Sequence, residues 1–125
     1  MATEILVNDG GAPARILPFT AGATLSGGSA VIMNSSGEIV NAGAAATNAL
    51  GFMFVDATSG NNCSVITGKG VVVNAYVSGA ADKGAQLQVK AVGDLRAGTD
   101  VDARVGIALH TSSAGAASLG KILLV

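Results

Sequence analysis

The chain is short of charged side chains. Charged residues make up 12% of its 125 residues, about half the share that is usual in soluble domains. A domain of this mass exposes roughly 6,000 Å² of surface. The seven basic and eight acidic residues therefore leave roughly 400 Å² per charge, which is the scale of the largest apolar patch that a monomer tolerates. We expect other subunits to cover much of this surface.

Clustered basic residues and long apolar runs are also missing, and the net charge is −1. Nucleic-acid binding requires clustered Lys and Arg, and single strands also stack on aromatic rings, which make up 3% of this chain. The start lacks the features of a signal peptide, and no apolar run is long enough to span a membrane. A single Cys forms no internal disulfide. We expect synthesis in a cytoplasm and neither a nucleic-acid nor a membrane partner.

Residues for catalysis or metal binding form no recognisable group. His110 is the only histidine, so a Ser-His-Asp or Cys-His site would depend on it, and its position after a predicted strand favours a surface side chain. Asp100 and Asp102 could bind a cation, but no third acid follows in a suitable pattern, which favours a solvated turn. Cys63 is interpreted as a small buried side chain. Gly68-Lys69-Gly70 lacks the other residues of a phosphate-binding loop. We expect no enzyme, no cofactor and no metal.

What the chain does have is apolar alternation with the period of β-strands. Val71, Val73 and Val77 would share one face of such a strand. Further short apolar runs occur on both sides of this segment, separated by turns rich in Gly, Ser and Asn. Many short strands joined by glycine turns are typical of a barrel or sandwich. The one helix candidate, residues 42–50, is equally compatible with a turn.

Six glycines recur with nearly the same spacing in two segments. They are Gly28, Gly37 and Gly51, followed by Gly84, Gly93 and Gly106. Glycine inside a strand marks a bulge, a bend or a close backbone approach, so we expect structural roles for all six. The spacing predicts an all-β fold, a small barrel or sandwich that two pseudo-symmetric three-strand repeats close together, at about residues 19–67 and 78–125. A chance match between glycine-rich segments is the alternative.

An apolar segment precedes the repeats. Residues 1–18 are predicted to form an extended N-terminal arm before a single β-barrel domain at residues 19–125. A strand followed by a Gly-Gly link suits strand addition to a neighbouring molecule, and an ordinary edge strand of the same barrel is an equal alternative. The apolar residues predicted to contact another subunit are Ile5, Leu6, Val7, Ile16, Leu17 and Phe19.

The order of several short motifs resembles that of the phage capsid cement, or decoration, proteins. The opening of that family is similar to Phe19-Thr20-Ala21-Gly22-Ala23-Thr24-Leu25-Ser26-Gly27-Gly28-Ser29-Ala30-Val31. Later family features resemble Leu50-Gly51-Phe52, Gly84-Ala85-Gln86-Leu87, Gly93-Asp94-Leu95, Val105-Gly106-Ile107-Ala108-Leu109 and Ile122-Leu123-Leu124-Val125. The apolar N-terminal segment is longer here than in that family.

The resemblance implies a β-barrel subunit of a bacteriophage virion. Such a subunit binds the outer surface of an assembled capsid between capsomers and stabilises the shell. Its partners would be the major capsid protein and further copies of itself, commonly in a homotrimer, after synthesis in the host cytoplasm. The family has no catalytic residues to transfer.

Two other classes of protein stay open. One is a different virion surface module, such as a fibre base or a glycan-binding barrel. Glycan sites depend on exposed aromatic rings, of which one Tyr and three Phe are the whole supply. The other is a β-barrel accessory domain of an enzyme complex, whose gene would lie beside that of a catalytic subunit.

Overall fold

The computed structural model describes residues 6–8, 15–113, 115 and 117–125, with the side chains of residues 6–8 and 15 left aside. These ranges contain short β-strands and a single turn of 3-10 helix at Val101–Ala103. Residues 42–50 form turns and no helix, so the all-β prediction is confirmed. The strands are β1 Leu6–Asn8, β2 Arg15–Ala21, β3 Ala30–Met33, β4 Glu38–Asn41, β5 Gly51–Met53, β6 Asn62–Thr67, β7 Val72–Val77, β8 Gln86–Ala91, β9 Asp94–Ala97, β10 Arg104–Ala108 and β11 Ser118–Leu124.

The first repeat closes into a five-stranded barrel, which we call barrel 1. Its strand order is β2-β4-β3-β5-β6. β2 pairs with β6 in the antiparallel direction along residues 15–20, and it meets β4 in parallel at Thr20 and Ala21. Branched and small apolar side chains alternate inward and fill the interior. The buried residues of this core are Ala21, Leu25, Val31, Ile39, Met53, Cys63 and Val65.

The second repeat forms a ring in the same order, β7-β9-β8-β10-β11, which we call barrel 2. A parallel contact between Val77 and Leu95 joins β7 to β9 and completes it. The same backbone hydrogen bond recurs beside the closing contact of each barrel. Gly22 N–H donates to Ile39 O at 2.8 Å, and Ser78 N–H donates to Leu95 O at 2.8 Å. The strands of the two repeats therefore correspond in order and in the contact that closes each barrel.

Each repeat contributes five strands rather than the predicted three, and each closes a barrel of its own. The glycine spacing marks only the central strands, which are β3 to β5 and β8 to β10. The first and last strands of each repeat pair with each other over most of their length. That pairing lets each repeat close without the other.

The N-terminal strand β1 lies against barrel 2. It pairs with β7 in the antiparallel direction, with Leu6 opposite Val73 and Asn8 opposite Val72. In the structure β1 is an edge strand within the chain, and strand addition to a neighbouring molecule stays a prediction. The boundary predicted at residue 18 falls inside β2, while residues 1–5 and 9–14 lie outside the described residues.

The six repeated glycines lie either in turns or inside strands. Gly37 and Gly93 have φ values of +80° and +81° and form the β3–β4 and β8–β9 turns, a conformation that glycine adopts without steric cost. Gly51 lies in β5, where an added Cβ would collide with the Ile66 carbonyl oxygen. Gly106 has the corresponding place in β10. Gly28 and Gly84 precede β3 and β8, also with positive φ.

Candidate interaction surface

The two barrels are joined by an apolar seam. Ala30, Phe52 and Ile66 are neighbours across β3, β5 and β6 on the outer face of barrel 1. All three are buried, and they belong to the same core cluster as the interior of barrel 2. We call this cluster the seam cluster. The packing of the barrels therefore rests on an outward-facing row of barrel 1.

Backbone hydrogen bonds also cross the seam, and most involve the β8–β9 hairpin of barrel 2. An added Cβ on Gly93 would lie 2.9 Å from Ala30 O, Asn41 Oδ1 and Ser29 Cβ. By contrast, no described atom lies within 4 Å of the corresponding position on Gly37. The crossing bonds run from Ala30 N–H to Gly93 O (2.9 Å), Gly93 N–H to Ala42 O (3.0 Å), Ala45 N–H to Val89 O (2.8 Å) and Tyr76 N–H to Gly28 O (3.1 Å).

Two grooves adjoin the seam. One, of about 310 Å³, is lined by apolar residues such as Phe52 and Leu124 and by the charged residues Lys69, Asp102 and Arg104. The other, of about 350 Å³, includes Asp94. Burial raises the pKa of the Asp94 carboxyl group above its usual value, and the charge of Lys90 lowers it in part. No group of three potential metal ligands occurs among the described residues.

His110 is half-buried, which corrects the prediction of a surface side chain. Its ring occupies the space beside Gly120, where an added Cβ would collide with it. Nδ1 is buried without a hydrogen-bond partner among the described residues. Gly120 lies in β11, ten residues along the chain. The spacing of apolar residues does not show that Gly120, which has no side chain, leaves room for the His110 ring.

The other residues considered for chemistry have structural places. Asp100 Oδ1 accepts a hydrogen bond from Asp102 N–H at 3.0 Å and caps the 3-10 turn. Both carboxylates belong to exposed residues, as the interpretation of a solvated turn expects. Cys63 is buried in barrel 1 as predicted, and burial raises the pKa of its thiol. Lys69 of the glycine-flanked loop lines the first groove.

The residues predicted to contact another subunit are divided between two surfaces. Ile16 and Leu17 are exposed on β2, whereas Phe19 is half-buried and packs against the core of barrel 1. Leu6 and Val7 belong to β1 on barrel 2, and Ile5 lies outside the described residues. Their role in an interface stays a prediction.

Several exposed apolar residues were not singled out from the sequence. The alternation of polar and apolar residues indicates which face of a strand points inward, but not whether the outer face is covered. No signal in the sequence separates these exposed residues from the buried ones. They include Met33, Val55, Val92, Val101, Leu109 and Val125.

The described chain is thus a tandem of two small β-barrels with apolar residues on its surface. Its fold is similar to the crystal structure of the head fiber gp8.5 N base in bacteriophage phi29. That similarity has a TM-score of 0.69 and covers 90% of this chain and 95% of that chain, at 13% sequence identity. No family model and no curated protein matches the chain. At this identity the similarity concerns the fold.

Proposed function

We propose that this protein is a structural component of a bacteriophage virion. In this role it binds the outer surface of the capsid between capsomers and stabilises the shell without catalysing a reaction. The observation that carries the proposal is the similarity of nearly the whole fold to the base of a phage head fiber. Sparse charge and exposed apolar residues on both barrels support a surface that is covered by other proteins.

The proposed mechanism is stabilisation by mass action. A ligand that binds only the assembled shell stabilises it by its binding free energy. A homotrimer that contacts several subunits of the major capsid protein at once would bind multivalently, so that modest contacts add up. A bridge across the boundary between capsomers would oppose their separation by the pressure of packaged DNA.

The base of a head fibre is a second candidate, which the same comparison favours. Both candidates require attachment to a phage head, and they differ in whether the attached protein carries a fibre. Glycan binding is less favoured, because none of the four aromatic side chains is fully exposed. Phe52 is buried, and Phe19, Phe54 and Tyr76 are half-buried.

Cosedimentation with purified capsids tests the attachment. We expect saturable binding to expanded shells that lack the protein, little binding to unexpanded shells, and a higher temperature of shell disruption once the sites are filled. Binding that never saturates, or no binding at all, would contradict the proposal. Binding that leaves the disruption temperature unchanged would favour the fibre base over the cement function.

The N-terminal segment gives a more specific prediction. Deletion of residues 1–12 removes β1 from the edge of β7, together with three of the six apolar residues predicted to contact another subunit, Ile5, Leu6 and Val7. We expect capsid affinity to fall at least ~10-fold, the equivalent of about 1.4 kcal/mol, or the oligomer to dissociate. Cosedimentation and light scattering measure the two effects, with Val55→Glu as a surface control. If occupancy and oligomeric state both stay unchanged, the assignment of this segment is wrong.

A further inference from the structure

The seam joins two different surfaces, and each barrel carries a copy of both. We call the outer row of barrel 1, Ala30, Phe52 and Ile66, an acceptor face. We call the part of barrel 2 that includes Val89 and Gly93 a docking face. Because the strands of the two repeats correspond, barrel 2 also has an acceptor face and barrel 1 also has a docking face. Within the described part of the chain, neither of these counterparts is used.

The acceptor face of barrel 2 is identified by matching contacts. Ala42 N–H donates to Ala30 O at 3.0 Å, and in the second repeat Gly98 N–H donates to Gln86 O at 3.0 Å. Gln86 therefore corresponds to Ala30. Its neighbours across the sheet are Ile107 and then Leu123, as Phe52 and Ile66 are the neighbours of Ala30.

This second acceptor face is incompletely covered. Gln86, Ile107 and Leu123 are half-buried, whereas their counterparts in barrel 1 are fully buried. Leu109 continues the row and is 42% exposed, while its counterpart Phe54 packs against the seam cluster. Gln86 Nε2 is buried and has no hydrogen-bond partner among the described residues.

The docking face of barrel 1 is open in the same way. Met33 pairs with Ile39 as Val89 pairs with Leu95, so Met33 corresponds to Val89. Val89 is fully buried in the seam cluster, whereas Met33 is 42% exposed.

The glycines at the tips of the two hairpins repeat this difference. Gly37 of the same face is exposed, whereas the corresponding Gly93 is buried against Ala30 and Ser29 in the seam, although Val92 of the same turn is 68% exposed.

Because the contact joins two different surfaces, one docking face and one acceptor face stay free, at opposite ends of the chain's two barrels. Such head-to-tail contacts produce rings when the rotation closes, and filaments when it does not. We propose that a second copy of this chain places the docking face of its barrel 1 on the acceptor face of barrel 2, so that the seam is repeated between molecules. Three copies joined in this way would form a ring of six barrels. The inference deepens the proposed function, and it rests on that proposal only for the number three.

Two single substitutions test the two faces separately. Met33→Glu places a charge on the docking face, Leu109→Glu places one on the acceptor face, and both positions are exposed enough to leave the fold intact. Val55→Glu is the matched control, since Val55 is 52% exposed and belongs to neither face. Native mass spectrometry and light scattering would give the assembly state, and thermal melts would verify folding. We expect an oligomeric wild type and control, and monomers for the two face variants, with at least a ~100-fold weaker association.

Mixing the two variants distinguishes a head-to-tail contact from a two-fold one. The Met33→Glu chain keeps its acceptor face and the Leu109→Glu chain keeps its docking face, so the mixture should form a one-to-one heterodimer that does not grow. A monomeric wild type, unchanged face variants, or a mixture without heterodimer would each overturn the inference.

Cosedimentation with capsids separates this result from the proposed function. An oligomer that binds no capsid would contradict only the function, and a monomer that binds capsids would contradict only this inference.

Discussion

At the scale of single residues, close approach of the backbone explains one of the repeated glycines. A Cβ at Gly51 would collide with the carbonyl oxygen of Ile66, and backbone atoms in a paired strand have little room to move. We expect Gly51→Ala to destabilise the protein by about 2–3 kcal/mol, measured by urea denaturation. Gly43→Ala is the control, because Gly43 has neither a positive φ nor a described atom within 4 Å of an added Cβ. Equal losses for the two variants would refute this explanation.

The regular spacing predicts six structural glycines but does not show the reason for each one, and it does not include Gly98 or Gly120, where an added Cβ would also collide. Regular spacing singled out Gly37 and Gly51 together, yet one forms an exposed turn and the other lies against a neighbouring strand. The difference depends on atoms that are brought near by pairing between strands. The same limit applies to His110, whose place beside Gly120 depends on the approach of a separate strand.

At the scale of elements, the β3–β4 and β8–β9 hairpins offer an internal comparison. Gly37 and Gly93 have the same φ, so an Ala substitution pays the same backbone cost of about 1 kcal/mol at either turn. Only the Cβ at position 93 also meets Ala30, Asn41 and Ser29 at 2.9 Å. We expect Gly93→Ala to cost about 1–3 kcal/mol more than Gly37→Ala. Denaturation at concentrations where the chain is monomeric measures the difference, and equal costs would mean that the Gly93 turn contributes little to the seam.

Local sequence determines where the strands lie along the chain, but not which strands pair with each other. Alternation located strands such as β6 and β7, because side chains on a strand point to opposite faces. It could not identify their partners, since strands pair through backbone groups that every residue has. For the same reason a strand was predicted near the N terminus, while its place on the edge of β7 was not. The parallel contacts that close the barrels belong to this second class.

At the scale of the whole molecule, the small number of charged residues and the different exposure of corresponding residues in the two barrels both concern the apolar surface of the protein. Sparse charge predicted a surface that other subunits cover. The structure adds where the apolar residues lie, because residues that are buried in one repeat, such as Val89, have exposed counterparts in the other, such as Met33. An exposed residue at a position that is buried in its twin indicates a place where a similar contact is suited to form. The sequence alone lacked this information, since it shows two repeats but not which face each one uses.

The seam should also make the two barrels unfold together. The seam cluster contains residues of both barrels, so neither can lose its structure without exposing apolar surface of the other. Two probes are available: Cys63 is buried in barrel 1 and reacts with an alkylating reagent only after unfolding, and the single tyrosine, Tyr76, lies in barrel 2 beside the seam. We expect the two transitions of the wild type to coincide in urea, as two-state unfolding requires.

Phe52→Ala removes the largest buried side chain of the seam. We expect this substitution to lower the free energy of unfolding by about 3–4 kcal/mol and to separate the two transitions. Val55→Ala should leave the transitions together. Transitions that already differ in the wild type would show that the barrels are independent and that the seam holds them side by side without coupling their stability.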